Sequence, residues 1–296
     1  MRVLIAGCGY VGLPLGAELV RQGHQVWGIR RSVVGADEMA AAGIVPVQAD
    51  ITRPETLQSA PSGFHWVVHC VSASGGGIEE YRQVYLEGTR NLLSWLQAHP
   101  PQKLVYTSST SVYGQSDGSW VEETSATEPA APTARILLET EQLLLNAAGR
   151  SGLPEVNLRC AGLYGHGRGH WLRQFLSGSA KIEDRGSRFL NLLHRDDAVG
   201  VIQTALRTGR PGEIYNAVDD SPVSQLAVFE WLAAELNQPL PPPMPEESDA
   251  VRKRGATNKR VSNRKLKRDL GYAFMYPSFR EGYTAELRRI ENIKQG

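Results

Sequence analysis

The chain has 296 residues, 41% hydrophobic and 21% charged, the proportions of an ordinary globular protein of one large domain or two unequal ones. Its 32 basic and 31 acidic residues leave a net charge of +1, so no global field selects nucleic acid or a membrane surface. No stretch approaches the ~18 consecutive apolar residues of a membrane span, and the three cysteines, Cys8, Cys70 and Cys160, form no Cys-x-x-Cys pair and read as reduced structural thiols of a cytoplasmic protein.

Arg2 to Ala6 has strand character, and the glycines that follow it argue for a first strand rather than a signal peptide. Gly7, Gly9 and Gly12 stand at the spacing G-x-G-x-x-G. Val11, Leu15, Leu19 and Val20 then repeat at helical spacing. A strand turning through glycines into a helix makes a pocket for a dinucleotide pyrophosphate. Gly7 permits the turn, Gly9 admits the phosphates, and Gly12 lets helix and strand approach. The helix N-terminus then faces the anion.

Gln25 to Ile29 predicts the second strand, ending in Arg30-Arg31-Ser32. A carboxylate here would hold a ribose 2′-OH. Two arginines and a serine instead suit a 2′-phosphate, which points to NADP, with NAD possible. The alternative is an exposed basic turn. Val45 to Gln48 predicts a third strand, followed by Ala49-Asp50-Ile51, where Asp50 can accept from an adenine amino group. Trp66 to Val71 is an apolar strand of the sheet centre, and its His69 reads as a satisfied core histidine. Ser72 to Gly77 predicts a turn over the cofactor. Glu79 to His99 predicts one long helix, ended by Pro100-Pro101.

Lys103 to Ser108 predicts the fifth strand, running on through Ser109-Thr110-Ser111-Val112-Tyr113-Gly114. Residues 115–132 predict a loop. Thr133 to Asn146 predicts an amphipathic helix stopped by Gly149, and Glu155 to Arg159 a sixth strand. Asp196 or Asp197 is expected to cap a helix running to Leu206. Glu213 to Ala217 predicts a further strand, Val223 to Leu236 a helix, Pro239 to Pro245 a linker, and the end a basic helical region. The alternation predicts an α/β fold: a Rossmann doubly wound parallel sheet with right-handed crossovers.

Six stretches in order carry a resemblance: the glycine motif, Ala49-Asp50-Ile51, T-S-S-T-S-V-Y-G at 107–114, L-R-C-A-G-L-Y-G at 158–165, N-L-L-H-R-D-D-A-V at 191–199 and G-E-I-Y-N-A-V-D-D at 212–220. The chain resembles an extended or atypical short-chain dehydrogenase/reductase of the NAD-dependent epimerase/dehydratase superfamily. The resemblance implies a Rossmann domain over residues 1–165 plus about 190–217. It implies a smaller C-terminal substrate domain from 166–189 and 218–296. It implies a cofactor held by Gly7, Gly9, Tyr10, Val11, Gly12, Arg30, Arg31, Ser32, Asp50, Ile51, Val71, Ser72 and Ser108. Ser109 falls where the family carries its catalytic serine or threonine.

The family's Tyr-x-x-x-Lys is absent. Counting from Glu141 puts Thr133 where the tyrosine belongs and Leu137 where the lysine belongs. Tyr113 and Tyr164 are the nearest tyrosines, and Thr133 and Tyr164 join Ser109 as catalytic candidates. No metal is implied. The expected ligand is a small-molecule substrate, with a nucleotide-sugar as the candidate whose diphosphate the basic run Arg252 to Arg268 could grip. A solvated basic face is the alternative for that run, and the absence of interleaved aromatics argues against nucleic acid. The resemblance also implies a homodimer through the helices Tyr81–Leu96 and Arg135–Leu145. The opening G-Y-V-G-L-P is also similar to nucleotide-sugar 6-dehydrogenases, but those need a longer chain and a catalytic cysteine in a glycine-rich segment. Cys160 lacks that setting. A non-catalytic, NADP(H)-sensing regulatory protein is the alternative to an enzyme.

Overall fold

The computed structural model describes residues 1–75, 77–244 and 257–295. Gly76 of the expected cofactor turn, Pro245 of the expected linker and residues 252–256 of the basic run lie outside the described residues. Seven strands form one parallel sheet: β1 (Arg2–Ala6), β2 (Gln25–Arg30), β3 (Val45–Gln48), β4 (Trp66–His69), β5 (Lys103–Ser109), β6 (Glu155–Cys160) and β7 (Glu213–Ala217). Their order across the sheet is β7-β6-β5-β4-β1-β2-β3. The chain therefore reverses direction across the sheet between β1 and β4, and there the carboxyl ends of the strands open a crevice. Val3, Leu4 and Ile5 of β1 are wholly buried because helices cover both faces of the sheet.

The main helices are α1 (Gly12–Arg21), α2 (Ile78–Leu96), α3 (Pro132–Ser151), α4 (Arg195–Thr208), α5 (Gln225–Leu236), α6 (Arg264–Leu270) and α7 (Phe279–Gln295). No helix of the described residues is long and apolar enough to cross a membrane. One apolar cluster packs on each face of the sheet. A third gathers Tyr164, Phe175, Leu190, Phe229, Phe279 and Tyr283 away from the sheet. It draws on Tyr164 and Leu190, which lie outside the segments 166–189 and 218–296.

Several boundaries differ from expectation, each for a local reason. β4 stops at His69 because Cys70 and Val71 pass under the first glycine turn, where a Cβ on Gly7 would lie 2.6 Å from Val71 N. The expected single helix 79–99 contains a π-helical stretch at Arg82–Glu87. Helix α3 runs through Gly149 and ends at Gly152, the glycine that takes the left-handed φ of +68°. Helix α4 is capped by His194, whose Nδ1 accepts from Asp196 N at 3.2 Å, and not by either aspartate. Asp197 instead accepts from the Tyr272 hydroxyl and the Met275 and Tyr276 amides, tying the C-terminal segment to α4. The expected loop 115–132 holds a two-residue strand, Trp120–Val121, paired in parallel with Arg260–Val261.

His69 is buried as expected and bonds Thr89 Oγ1 at 2.7 Å, but its Nδ1 has no partner among the described residues. Burial holds it neutral, with the pKa pushed down to about 4. Of the basic run, the described part is not one solvated face. Lys259 is buried, Arg260 stacks on Trp120 and Phe189, and Lys265 and Lys267 pair with Glu213 and Asp220.

Candidate functional site

The crevice at the switch point is a cavity of about 330 Å³. The first glycine turn builds its floor. Gly7 has φ +93°, a left-handed value that favours glycine. A Cβ on Gly12 would meet Gly7 O at 2.5 Å and Ile5 Cγ2 at 2.9 Å, so this glycine allows α1 to lie against β1. A Cβ on Gly9 would meet nothing within 4 Å, which leaves its backbone open to a ligand. The three glycines thus stand in three different environments, as the motif requires.

The cavity wall carries Tyr10, Val11, Arg30, Arg31, Asp50, Ile51, Val71, Ser72, Ser108 and Ser109 beside Gly7 and Gly9. Gly12, Ser32, Thr133 and Tyr164 do not line it. Ser32 turns its hydroxyl to the Val34 amide at 3.1 Å. Arg30 bonds the Cys8 and Val34 carbonyls and stands 3.9 Å from Glu38, while Arg31 is exposed and reaches Ser74 Oγ at 3.3 Å. Asp50 Oδ1 takes both the amide and the hydroxyl of Thr52. Arg168, which no motif singled out, also lines the cavity, with its guanidinium 4.9 Å from the Tyr10 ring centroid. Burial pushes the Tyr10 hydroxyl up to about 12 even with Arg195 and Arg168 nearby. The three thiols are free, and burial raises each of them, Cys8 to about 11 and Cys160 to about 12.

Below the cavity lies a buried polar network. Glu141 of α3 holds Arg159 of β6 through both carboxylate oxygens and accepts from Ser108. Arg159 donates to the Tyr113 hydroxyl at 2.9 Å, and Tyr113 donates to Asn216 Oδ1 at 2.8 Å. Tyr113 is therefore a strut. Tyr164 packs edge-on against His194 and Tyr283, and burial pushes its hydroxyl far above the ordinary range.

Ser109 ends β5, and its Oγ accepts from Ser111 N at 3.2 Å, capping the turn Thr110–Val112. It also lines a second cavity of about 170 Å³, with Ser111, Trp171, Arg188, Asn191 and Lys259. Ser109 is the residue common to both cavities. The second cavity is built from chain segments with no shared motif, and neither Lys259 nor Asn191 was singled out as a site residue. Leu137 lines the first cavity, and Thr133 is buried one turn earlier on the same helix.

Elsewhere, His166, His194 and Asp196 each bring one donor atom within 4.8 Å of the others. His194 Nδ1 is engaged by an amide, and Asp196 already pairs with His166 and Arg195.

A doubly wound parallel sheet with a glycine turn at its switch point defines a dinucleotide-binding protein. The chain belongs to the NAD dependent epimerase/dehydratase family, whose model matches residues 3–217. It is 29% identical to Protein YeeZ of Escherichia coli K12 over 93% of this chain and 96% of that protein. It is 27% identical to a 3-diazoavenalumate denitrifying reductase of a Streptomyces species, over 97% of this chain and 100% of that one. The fold matches DesIV, a dTDP-glucose 4,6-dehydratase of Streptomyces venezuelae solved with NAD and TYD bound. The TM-score is 0.84 at 22% identity, covering 97% of this chain and 96% of that chain.

Proposed function

We propose that this chain is an NADP(H)-dependent oxidoreductase that interconverts a carbonyl and an alcohol on a small polar substrate. The observation that carries the reading is the junction at Ser109, where a glycine-floored cleft meets a second, polar cavity. The cleft residues suit a dinucleotide. The floor at Gly7 and Gly9 and the N-terminus of α1 receive the pyrophosphate. Asp50 keeps one carboxylate oxygen without a bond to Thr52 and is placed for the adenine. Arg31, exposed at the rim, and Arg30 would meet a 2′-phosphate, which supports reading the cofactor as NADP(H) rather than NAD(H). The cofactor would supply or accept a hydride, and Ser109 would hold the substrate oxygen whose charge changes. A nucleotide-sugar remains the substrate class we favour, on the family resemblance, and Arg188 offers its phosphates a partner. We also propose the two-domain division, with the third apolar cluster as the core of the substrate lobe, and a homodimer through α2 and α3. Leu138, Leu143 and Leu145 remain part-exposed there, while Ile136, Leu137 and Leu144 are buried within the chain.

Calorimetric titration tests the cofactor. NADPH is expected to bind about tenfold tighter than NADH or better, a difference of about 1.4 kcal/mol, and equal binding would remove the NADP(H) assignment. Turnover of NADPH against a panel of carbonyl compounds tests the reaction. Sedimentation at micromolar concentration tests the dimer, and a monomer would count against it.

One observation favours a second reading. Thr133 and Leu137 stand where the family keeps its proton-transfer pair, so a chain that binds NADP(H) and reports its redox state to a partner is the alternative. Tight NADPH binding with no turnover of any carbonyl or nucleotide-sugar would select it.

A further inference from the structure

We propose that Lys259 gives and takes the proton of the substrate oxygen in the cavity beside Ser109, in place of the absent tyrosine and lysine. This rests on the oxidoreductase reading above.

Lys259 is brought to the site from 150 residues beyond Ser109 by backbone pairing. Asn258 donates to Gln115 O at 3.0 Å and accepts from Gly118 N at 2.9 Å, and Arg260 N donates to Ser119 O at 2.8 Å. These bonds join the lysine segment to the loop that follows Ser109. Asn191 clamps it from the other side, donating to Lys259 O at 2.9 Å and accepting from Val261 N at 2.7 Å. Two independent elements therefore fix the Lys259 backbone, the placement a reacting group needs.

The side chain is 5% exposed. Its ammonium donates to Thr257 Oγ1 at 2.9 Å, and no carboxylate pairs with it among the described residues. An ammonium carries three donors, so two remain for a ligand. Ser111 Oγ, in the same cavity, is buried with no partner among the described residues. Among the described residues the charged groups around the lysine are few. Arg188 lines the cavity, bonds Thr257 O at 3.1 Å and stands 3.8 Å from Glu183, and Arg260 is stacked on Trp120 and Phe189. Among the described residues no carboxylate lines the cavity. Burial and the nearby Arg188 disfavour the charged form, and the Lys259 pKa is pushed down to about 8. A proton donor of that strength operates near neutrality, where an ordinary lysine would not release its proton.

The chemistry balances. In reduction the carbonyl carbon gains a hydride that the reduced nicotinamide supplies, and the carbonyl π pair moves onto oxygen. An N–H bond of Lys259 breaks, the O–H bond forms, and the neutral amine regains a proton from water. Oxidation of the alcohol runs the same steps backwards, with neutral Lys259 as the acceptor.

Lys259→Arg and Lys259→Met are the tests, with NADPH affinity as the control for folding. Arginine keeps the charge but cannot release a proton at these pH values. The expected result is that Lys259→Arg lowers turnover by about 10²-fold or more with little change in KM. The unmodified protein should lose reduction rate as pH rises through about 8, and the variant should lack that limb. A second readout needs no turnover. Amine labelling of the cofactor-bound protein at a series of pH values, followed by peptide mass, should give Lys259 a midpoint near 8 and show protection by a turned-over carbonyl compound. A labelling midpoint at about 10.4, the ordinary lysine value, overturns the proposal. So does turnover that survives Lys259→Arg with the same pH limb, and in that case the oxidoreductase reading stands. If the unmodified protein binds NADPH and turns over nothing, that reading fails and the proposal falls with it.

Discussion

The two cavities that meet at Ser109 are built in opposite ways. The floor of the larger one is a single continuous stretch, the glycine turn after β1, and is mostly backbone: one left-handed glycine, one open glycine and one close-packed glycine, while its wall gathers residues from several strand ends. The smaller one draws side chains from residues 109–111, 171, 188–192, 257 and 259. A backbone cradle survives drift of its side chains, whereas a reacting group must be carried in by tertiary structure. On the reading proposed here, the cofactor site would persist in a chain whose proton-transfer pair has gone.

The largest expected effect strikes the polar network below the larger cavity. Glu141→Ala leaves Arg159 buried without its carboxylate and frees Ser108, at a cost of about 3–5 kcal/mol, the usual range for breaking one side of a buried pair. Chemical denaturation measures it, and a cost below about 1 kcal/mol would show that the network does not hold the sheet end together.

Ser109→Ala should separate the two cavities. Any native activity should fall by about 10²-fold or more, the scale for removing one positioned donor, while NADPH affinity holds. An unchanged rate would place the chemistry elsewhere.

Glu155 offers a pH test at the far end of the sheet, remote from either cavity. It is wholly buried with both oxygens unpartnered among the described residues, and burial first, then Glu141, raises its pKa from 4.5 to about 8. Between those values the unfolded chain releases a proton that the folded chain keeps, so stability should fall as pH rises through that window. Glu155→Gln should flatten the slope and stabilise the protein at neutral pH by on the order of 2 kcal/mol. Urea denaturation from pH 4 to 8 measures both, and an unchanged slope would contradict the burial argument.

The smallest effect sharpens the backbone claim. Gly9→Ala adds a methyl group that meets no protein atom within 4 Å, so the melting temperature should hold. The methyl group enters the space expected for the phosphates, and NADPH affinity should fall by about tenfold, or 1.4 kcal/mol.

The same contrast explains what the sequence revealed. The sheet strands, the glycine roles and the cleft residues Arg30, Arg31 and Asp50 were readable because each depends on neighbours within a few positions. His194 as the cap of α4 was missed because two aspartates, the commoner cap, stand just after it. The continuation of α3 through Gly149 was missed because glycine permits a helix as well as ending one. Lys259 lay within a basic run read as either a diphosphate grip or a solvated face, and only the fold shows that this one lysine is buried. Tyr164, a candidate from the family pattern, sits in an apolar cluster that only tertiary packing creates.

The most direct test of the central claim, that a dinucleotide in the glycine cleft reacts across Ser109 without a Tyr-x-x-x-Lys pair, is isotope transfer. The protein would be incubated with NADPH deuterated at the nicotinamide C4 and a panel of carbonyl compounds, and the products read by mass spectrometry. The account expects one deuterium on the former carbonyl carbon of at least one compound. NADPH binding with no deuterium in any product would contradict it and leave the cleft as a sensor of the cofactor alone.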